Sequence, residues 1–107
     1  MDYMQNEKFD IAQKAHLINV IKSQLLSEVS GIFKATLLTE GKDALLDAVA
    51  NTVLLSYVLA RRCGITYEEI DAKMEDKARL GILEEHKLEK NYQDLSALKK
   101  HIAVRKV

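Results

Sequence analysis

Apolar residues recur at helical spacing along most of this chain. Leu17, Ile18, Ile21, Leu25, Val29, Ile32 and Phe33 step through the sequence three or four residues at a time, which gathers them on one helical face. The pattern predicts a first helix over about 8–36. "TEGKD" at 39–43 interrupts it, and Thr39 is a residue type that caps a helix N-terminus by accepting from a first-turn amide. A second helix is expected over about 40–62. It is apolar nearly all round, so it should sit centrally in a bundle or be covered by a partner chain. Arg61 and Arg62 fall in its last turn, where cations complement the helix dipole. Gly64 is suited to the left-handed conformation that closes helices.

"TYEE" at 66–69 has the form of a capping box, with Thr66 as the cap and Glu69 reaching back. A third helix should start there and run to about Arg79, with Gly81 ending it. "ILEEHKLEKN" at 82–91 fits either a fourth short helix or a loop. "NYQDLSALKKHIAV" at 91–104 predicts a last helix with Leu95, Leu98 and Ile102 facing inward. Residues Arg105 to Val107 are expected to fray. No repeat, linker or low-complexity tract divides the chain. The expectation is one all-α domain over residues 1–107, an antiparallel bundle of four to five helices completed by oligomerisation.

Composition agrees. The 107 residues include no Pro, no Trp and only four Gly, so few positions break a helix. Lys+Arg and Asp+Glu stand at 16 each, which leaves no charge bias toward nucleic acid or an anionic membrane. Cys63 is the one cysteine and has no partner for an internal disulfide. "MDYMQNEKFD" is polar and lacks the apolar core of a secretion signal. The longest apolar stretch, 44–60, is shorter than a bilayer span of about 20 residues and is interrupted by Asp47 and Asn51. These features predict a cytoplasmic protein.

Candidate chemistry lies in the acids that interrupt the apolar faces. Glu28 follows Ile21 by seven residues and Leu25 by three, and precedes Ile32 by four, so it projects from the apolar stripe. On the second helix Asp43, Asp47 and Asn51 are spaced four apart. Antiparallel pairing of the two helices would bring Glu28 toward Asp47. A carboxylate buried without a partner is costly, so each needs a cation, a hydrogen-bond donor, water at a rim, or a metal. Mg²⁺ takes oxygen ligands and keeps several waters, so a few facing carboxylates suffice. Asn51 either lines such a site or fixes helix register through a polar contact.

"LLDAVANTVLLSYVLARRCGITYEEIDAKMEDKARLG" (45–81) resembles the Asp-bearing helix and following Lys-rich helix of the MazG-like proteins, all-α nucleoside triphosphate pyrophosphohydrolases. The similarity is best over residues 24–81, and the tail at 84–102 resembles a short MazG-like subgroup. The family's acidic pattern, Glu-Glu-x-x-Glu and then Glu-x-x-Asp, falls on "SEVSG" (27–31) and "ALLD" (44–47). Glu28 and Asp47 match, while Ser27, Gly31 and Ala44 stand where acids belong. Asp43 lies near the missing Glu but on another angle of the helix. Lys77 stands at the place of a nucleotide-holding Asn. The resemblance implies helices that assemble as a homodimer or homotetramer, with Mg²⁺ on Glu28, Asp47 and Asp43. It also implies a nucleoside triphosphate held with help from Asn51, Lys73 and Lys77. In active relatives a metal-activated water attacks phosphorus and pyrophosphate leaves.

Two other classes compete. The depleted acids and the apolar second helix suit a non-catalytic helical module that binds a partner chain. "LARRCGITYEEIDAKM" (59–74) has helix-turn-helix spacing. However, residues 67–80 carry five acids against three bases, a poor face for phosphates. His16, His86 and His101 form no metal motif, and a solvated loop position suits His86. Tyr92, Asp94 and Ser96 suit capping and packing.

Overall fold

The computed structural model describes residues 2–37 and 41–105. All its elements are helices: α1 (Asp2–Leu37), α2 (Lys42–Arg62), α3 (Tyr67–Leu83), α4 (Lys87–Tyr92) and α5 (Asp94–Arg105). The all-α expectation is met. The sequence pattern suggested one domain; by packing, the helices group into two compact units, residues 1–65 and 66–107.

The first unit is the hairpin of α1 and α2. Gly31 lies against Ala48, where an added Cβ would stand 3.7 Å from that of Ala48. Glu28 then shares a hollow with Asn51, and Leu17 shares another with Arg62. Positions that rise along α1 fall along α2, so the pair is antiparallel. The small residues at the seam allow close approach, and the buried core of this unit is Ile21, Ala35 and Ala48. At about 1.5 Å per residue, α1 is the longer rod, and the part before Lys14 runs past the end of α2. Phe9 and Ile11 there are exposed.

The helix ends have local causes. Gly41 is the N-cap of α2 at φ 105°, without a side-chain cap; Thr39, expected to cap, lies outside the described residues. At the other end the Ile65 amide donates to the Ala60 carbonyl and the Gly64 amide to Arg61. With Gly64 at φ 92°, this is the paired closure that a left-handed residue permits. The expected stop at Gly64 is met.

The expected central position of α2 is not. Its one buried residue is Ala48, and Leu46, Val49, Val53 and Leu54 are exposed. Within its unit α2 has only α1 to pack against. By length and composition alone α2 would also serve as a membrane span, contrary to the expectation from 44–60, although one such helix equally describes a helix covered by protein.

The second unit packs α3 against α5, with α4 between them in sequence. Thr66 caps α3, its Oγ1 accepting from the Glu69 amide at 3.1 Å, as the sequence predicts. Gly81 does not end the helix. α3 continues to Leu83 and closes on Glu85 at φ 52°, with His86 donating back to Gly81 and Glu85 to Ile82. Gly81 instead makes room for α5: a Cβ there would collide with Leu95 Cδ1. The ambiguous segment forms the short α4, capped by His86, whose Nδ1 accepts from Leu88 at 3.1 Å. Ile102 is 1% exposed and Leu95 half-buried, but Leu98 is 48% exposed, so the inward face of α5 is narrower than expected. Arg105 is helical and pairs with Asp71 at 3.2 Å rather than fraying; Lys106 and Val107 lie outside the described residues.

Candidate functional site

The α1–α2 hairpin carries a polar hollow of about 280 Å³ lined by Gln24, Ser27, Glu28, Asn51, Leu54 and Leu55. The register explains it. From the Gly31–Ala48 contact, three residues back along α1 and three forward along α2 set Glu28 level with Asn51. Both are half-buried, each on the edge of its helix's apolar face. Gln24, Ser27 and Glu28 come from α1, and Asn51, Leu54 and Leu55 from α2.

Not every expected site residue is here. Asp43 and Asp47 are exposed and are not among the residues lining the hollow. Neither Glu28 nor Asp47 forms an ion pair among the described residues. No charged side chain is fully buried among them either. Of the weighed explanations for acids in an apolar stripe, a buried ion pair is not found among the described residues. Other polar positions on α2 are satisfied within the helix: Thr52 donates to Ala48 at 2.8 Å and Ser56 to Thr52 at 2.7 Å.

The positions where acids are lacking now have a structural meaning. Ser27 lines the hollow, Gly31 touches Ala48 at the seam, and Ala44 is half-buried on α2. Among the described residues no three His, Cys, Asp or Glu side chains come close enough to hold a metal together. Mg²⁺ needs six oxygens, of which protein carboxylates normally supply one or two and phosphates and water the rest. One half-buried carboxylate, Glu28, with neutral amides and a hydroxyl is a thin donor set. Within a single chain these residues do not fit a resident Mg²⁺.

Lys73 and Lys77 are exposed, one turn apart on α3, and belong to the second unit. On the same helix Arg79 pairs with Asp76 at 3.6 Å and Asp71 with Arg105. One base and two acids of α3 are thus engaged in ion pairs.

A model of the MazG-like family matches residues 11–95. The chain belongs to the MazG-like family. The match takes in both described units and extends beyond the 24–81 segment where the residue pattern is clearest. No curated protein and no solved structure gives a match.

One contact in the second unit was not legible in the sequence of this MazG-like chain. Glu89 on α4 accepts from the Ser96 amide at 2.8 Å and from its hydroxyl at 2.5 Å. It thereby caps the first turn of α5 from another helix. The Ser96 hydroxyl, and after it the Ser96 amide, hold the Glu89 carboxyl below its ordinary value of 4.5. Ser96 had been assigned to capping and packing, and it supplies the donors; the acceptor is seven residues earlier, beyond the reach of a local capping pattern.

Proposed function

We propose that this MazG-like protein is a self-associating, non-catalytic helical module, a cytoplasmic homodimer or homotetramer whose α1–α2 hairpin docks on a second copy. The observation that supports this is the unburied apolar surface of the hairpin. Leu26, Phe33 and Leu37 fall seven and four residues apart along α1, and Leu46, Val49 and Val53 three and four apart along α2. Each set forms one stripe. Leu26 is 74% exposed, Phe33 64% and Leu46 60%. Burying one large apolar side chain is worth about 1.5–3 kcal/mol. Twelve such side chains from two copies, if both stripes are covered and at about half that value because they are partly covered already, contribute roughly 9–18 kcal/mol. That reaches the scale of the roughly 4–15 kcal/mol lost in translational and rotational freedom. The thin donor set around Glu28 argues against hydrolysis, because it gives a triphosphate nothing positive to meet.

The competing reading is a Mg²⁺-dependent nucleoside triphosphate pyrophosphohydrolase, or a nucleotide-binding relative of one. Its support is the family match together with the hollow that joins Glu28 and Asn51. If a second copy supplied the missing oxygens, Glu28 and Asp47 would be the ligands and Asn51 a contact to the nucleotide.

Light scattering after size exclusion, with and without Mg²⁺ and each nucleoside triphosphate, tests both. The module reading expects a multiple of the 12.1 kDa chain mass that neither Mg²⁺ nor nucleotide changes. It also expects Leu26→Glu with Val53→Glu to reduce that mass to one chain. A wild-type monomer at micromolar concentration would overturn the assembly. Enzyme-dependent pyrophosphate release, abolished by Glu28→Gln, would establish the enzyme.

A further inference from the structure

A second hollow in the same hairpin has the opposite charge. It measures about 200 Å³ and is lined by Lys14, Leu17 and Ile18 of α1, Arg61 and Arg62 of α2, and Gly64. Its lining thus combines three cations with two aliphatic side chains. No ion pair engages Lys14, Arg61 or Arg62 among the described residues. The cations are also not required to cap α2, because the amides of Gly64 and Ile65 already serve its last carbonyls. Three unpaired cations held near one another repel, and a multiply charged anion relieves that repulsion.

We infer that this hollow is an organic-phosphate site: the phosphate rests on Lys14, Arg61 and Arg62, and the apolar part of the ligand rests on Leu17 and Ile18. Guanidinium groups present paired N–H donors that match phosphate oxygens, and such charge-assisted bonds are among the strongest a surface offers. Leu17 is 46% exposed, so its side chain is accessible to a ligand. Gly64 leaves the rim without a side chain at the point where the chain leaves α2.

This site is separate from the Glu28 hollow. Lys14 and Glu28 are fourteen residues apart on one helix, which is about 21 Å along its axis. A phosphate cannot reach both within one chain. If this protein binds a phosphate ester, electrostatics directs it to the cationic end of the hairpin and away from the carboxylate. The inference does not depend on whether the chain self-associates.

The test is titration of the full-length protein with inorganic phosphate, phenyl phosphate and benzyl alcohol, followed by isothermal calorimetry and by amide and methyl NMR shifts. Phenyl phosphate should bind at least tenfold more tightly than inorganic phosphate, and benzyl alcohol should not bind. Shifts should concentrate on Leu17, Ile18, Arg61, Arg62 and Gly64. Arg61→Gln with Arg62→Gln should weaken phenyl phosphate at least tenfold. Lys14→Gln, on the exposed face of α1 and so safe for folding, should weaken it severalfold. Leu17→Gln should remove the preference for phenyl phosphate while leaving inorganic phosphate unchanged. Equal binding by wild type and the well-folded Lys14→Gln and double-arginine variants would overturn the site. So would shifts centred on Asn51 or Lys77, or no binding at millimolar ligand.

Discussion

Gly81→Ala separates two accounts of one residue, and a double-mutant cycle with Leu95 decides between them. If Gly81 ended α3 in a left-handed conformation, alanine would cost about 1 kcal/mol in strain, whatever stood at position 95. The fold instead puts Gly81 inside α3, at an ordinary helical φ, with Leu95 Cδ1 where a Cβ would go. Alanine then gains about 1 kcal/mol of helix propensity and loses about 1–3 kcal/mol by overpacking against that methyl. The net effect is a loss of about 0–2 kcal/mol. Leu95 is half-buried, so Leu95→Ala alone should cost about 1–2.5 kcal/mol, half the range for a fully buried leucine.

In the double variant the collision is gone and the propensity gain remains. Its loss should be only about 0–1.5 kcal/mol, giving a favourable coupling of roughly 1–3 kcal/mol between the two sites. The assay is urea unfolding followed by helical circular dichroism, at one fixed protein concentration because association shifts apparent stability. A coupling within about 0.5 kcal/mol of zero would refute the packing of α5 over Gly81. So would a Gly81→Ala variant more stable than wild type by the full propensity gain.

Three further outcomes follow from the same structure. Ile102→Ala should destabilise by about 2–5 kcal/mol in urea unfolding, since this side chain is 1% exposed, whereas Leu98→Ala at 48% exposed should cost under about 1 kcal/mol. The Glu89 carboxyl is held low by Ser96, so its contribution to stability is present above its unfolded value and is lost as pH falls through the lower folded one. Carboxyl NMR titration should place its midpoint below 4.5 in wild type and nearer to 4.5 in Ser96→Ala; an unmoved midpoint would remove the hydroxyl as the cause. Asp47 is exposed and forms no ion pair among the described residues, so Asp47→Asn should change stability by no more than about 0.5 kcal/mol. A melting difference between Asp47→Asn and wild type that appears only with Mg²⁺ would restore a metal ligand there.

Whether a feature was legible in the sequence depended on how far along the chain its cause lies. The stop at Gly64 and the cap at Thr66 rest on residues within a turn of one another, and both read correctly. The helical period of α1 is local too. Gly81 misled because a glycine just past a basic last turn signals a helix end, while its actual role is set by Leu95, fourteen residues later and on another helix. α2 misled for the opposite reason. Its all-round apolarity led to an expectation of cover, but no local pattern says whether cover lies in the same chain, and within its own unit only Ala48 of α2 is buried. The Glu28 hollow was half visible: spacing put Glu28 and Asn51 on inner edges. The register that pairs them, and leaves Asp47 outside the lining, comes from small residues at the Gly31–Ala48 contact, which have no signature of their own.

That register also bears on what Glu28 would do if the hairpin self-associates as proposed. A half-buried carboxylate beside an apolar stripe costs little while water reaches it, and several kcal/mol if a partner seals it off unpaired. In a self-associating hairpin it therefore acts on the choice of partner geometry. Arrangements that slide a second copy's apolar stripe over the Glu28 hollow bury an unpaired charge, and those that leave the hollow open do not. Asn51, level with it on α2, imposes the same condition through unsatisfied amide groups. Polar residues at a few inner positions of helical assemblies fix register in this way at a cost in stability. If the hairpins associate as proposed, Glu28 and Asn51 constrain how they meet, and the hollow they line should remain open to solvent in the assembly.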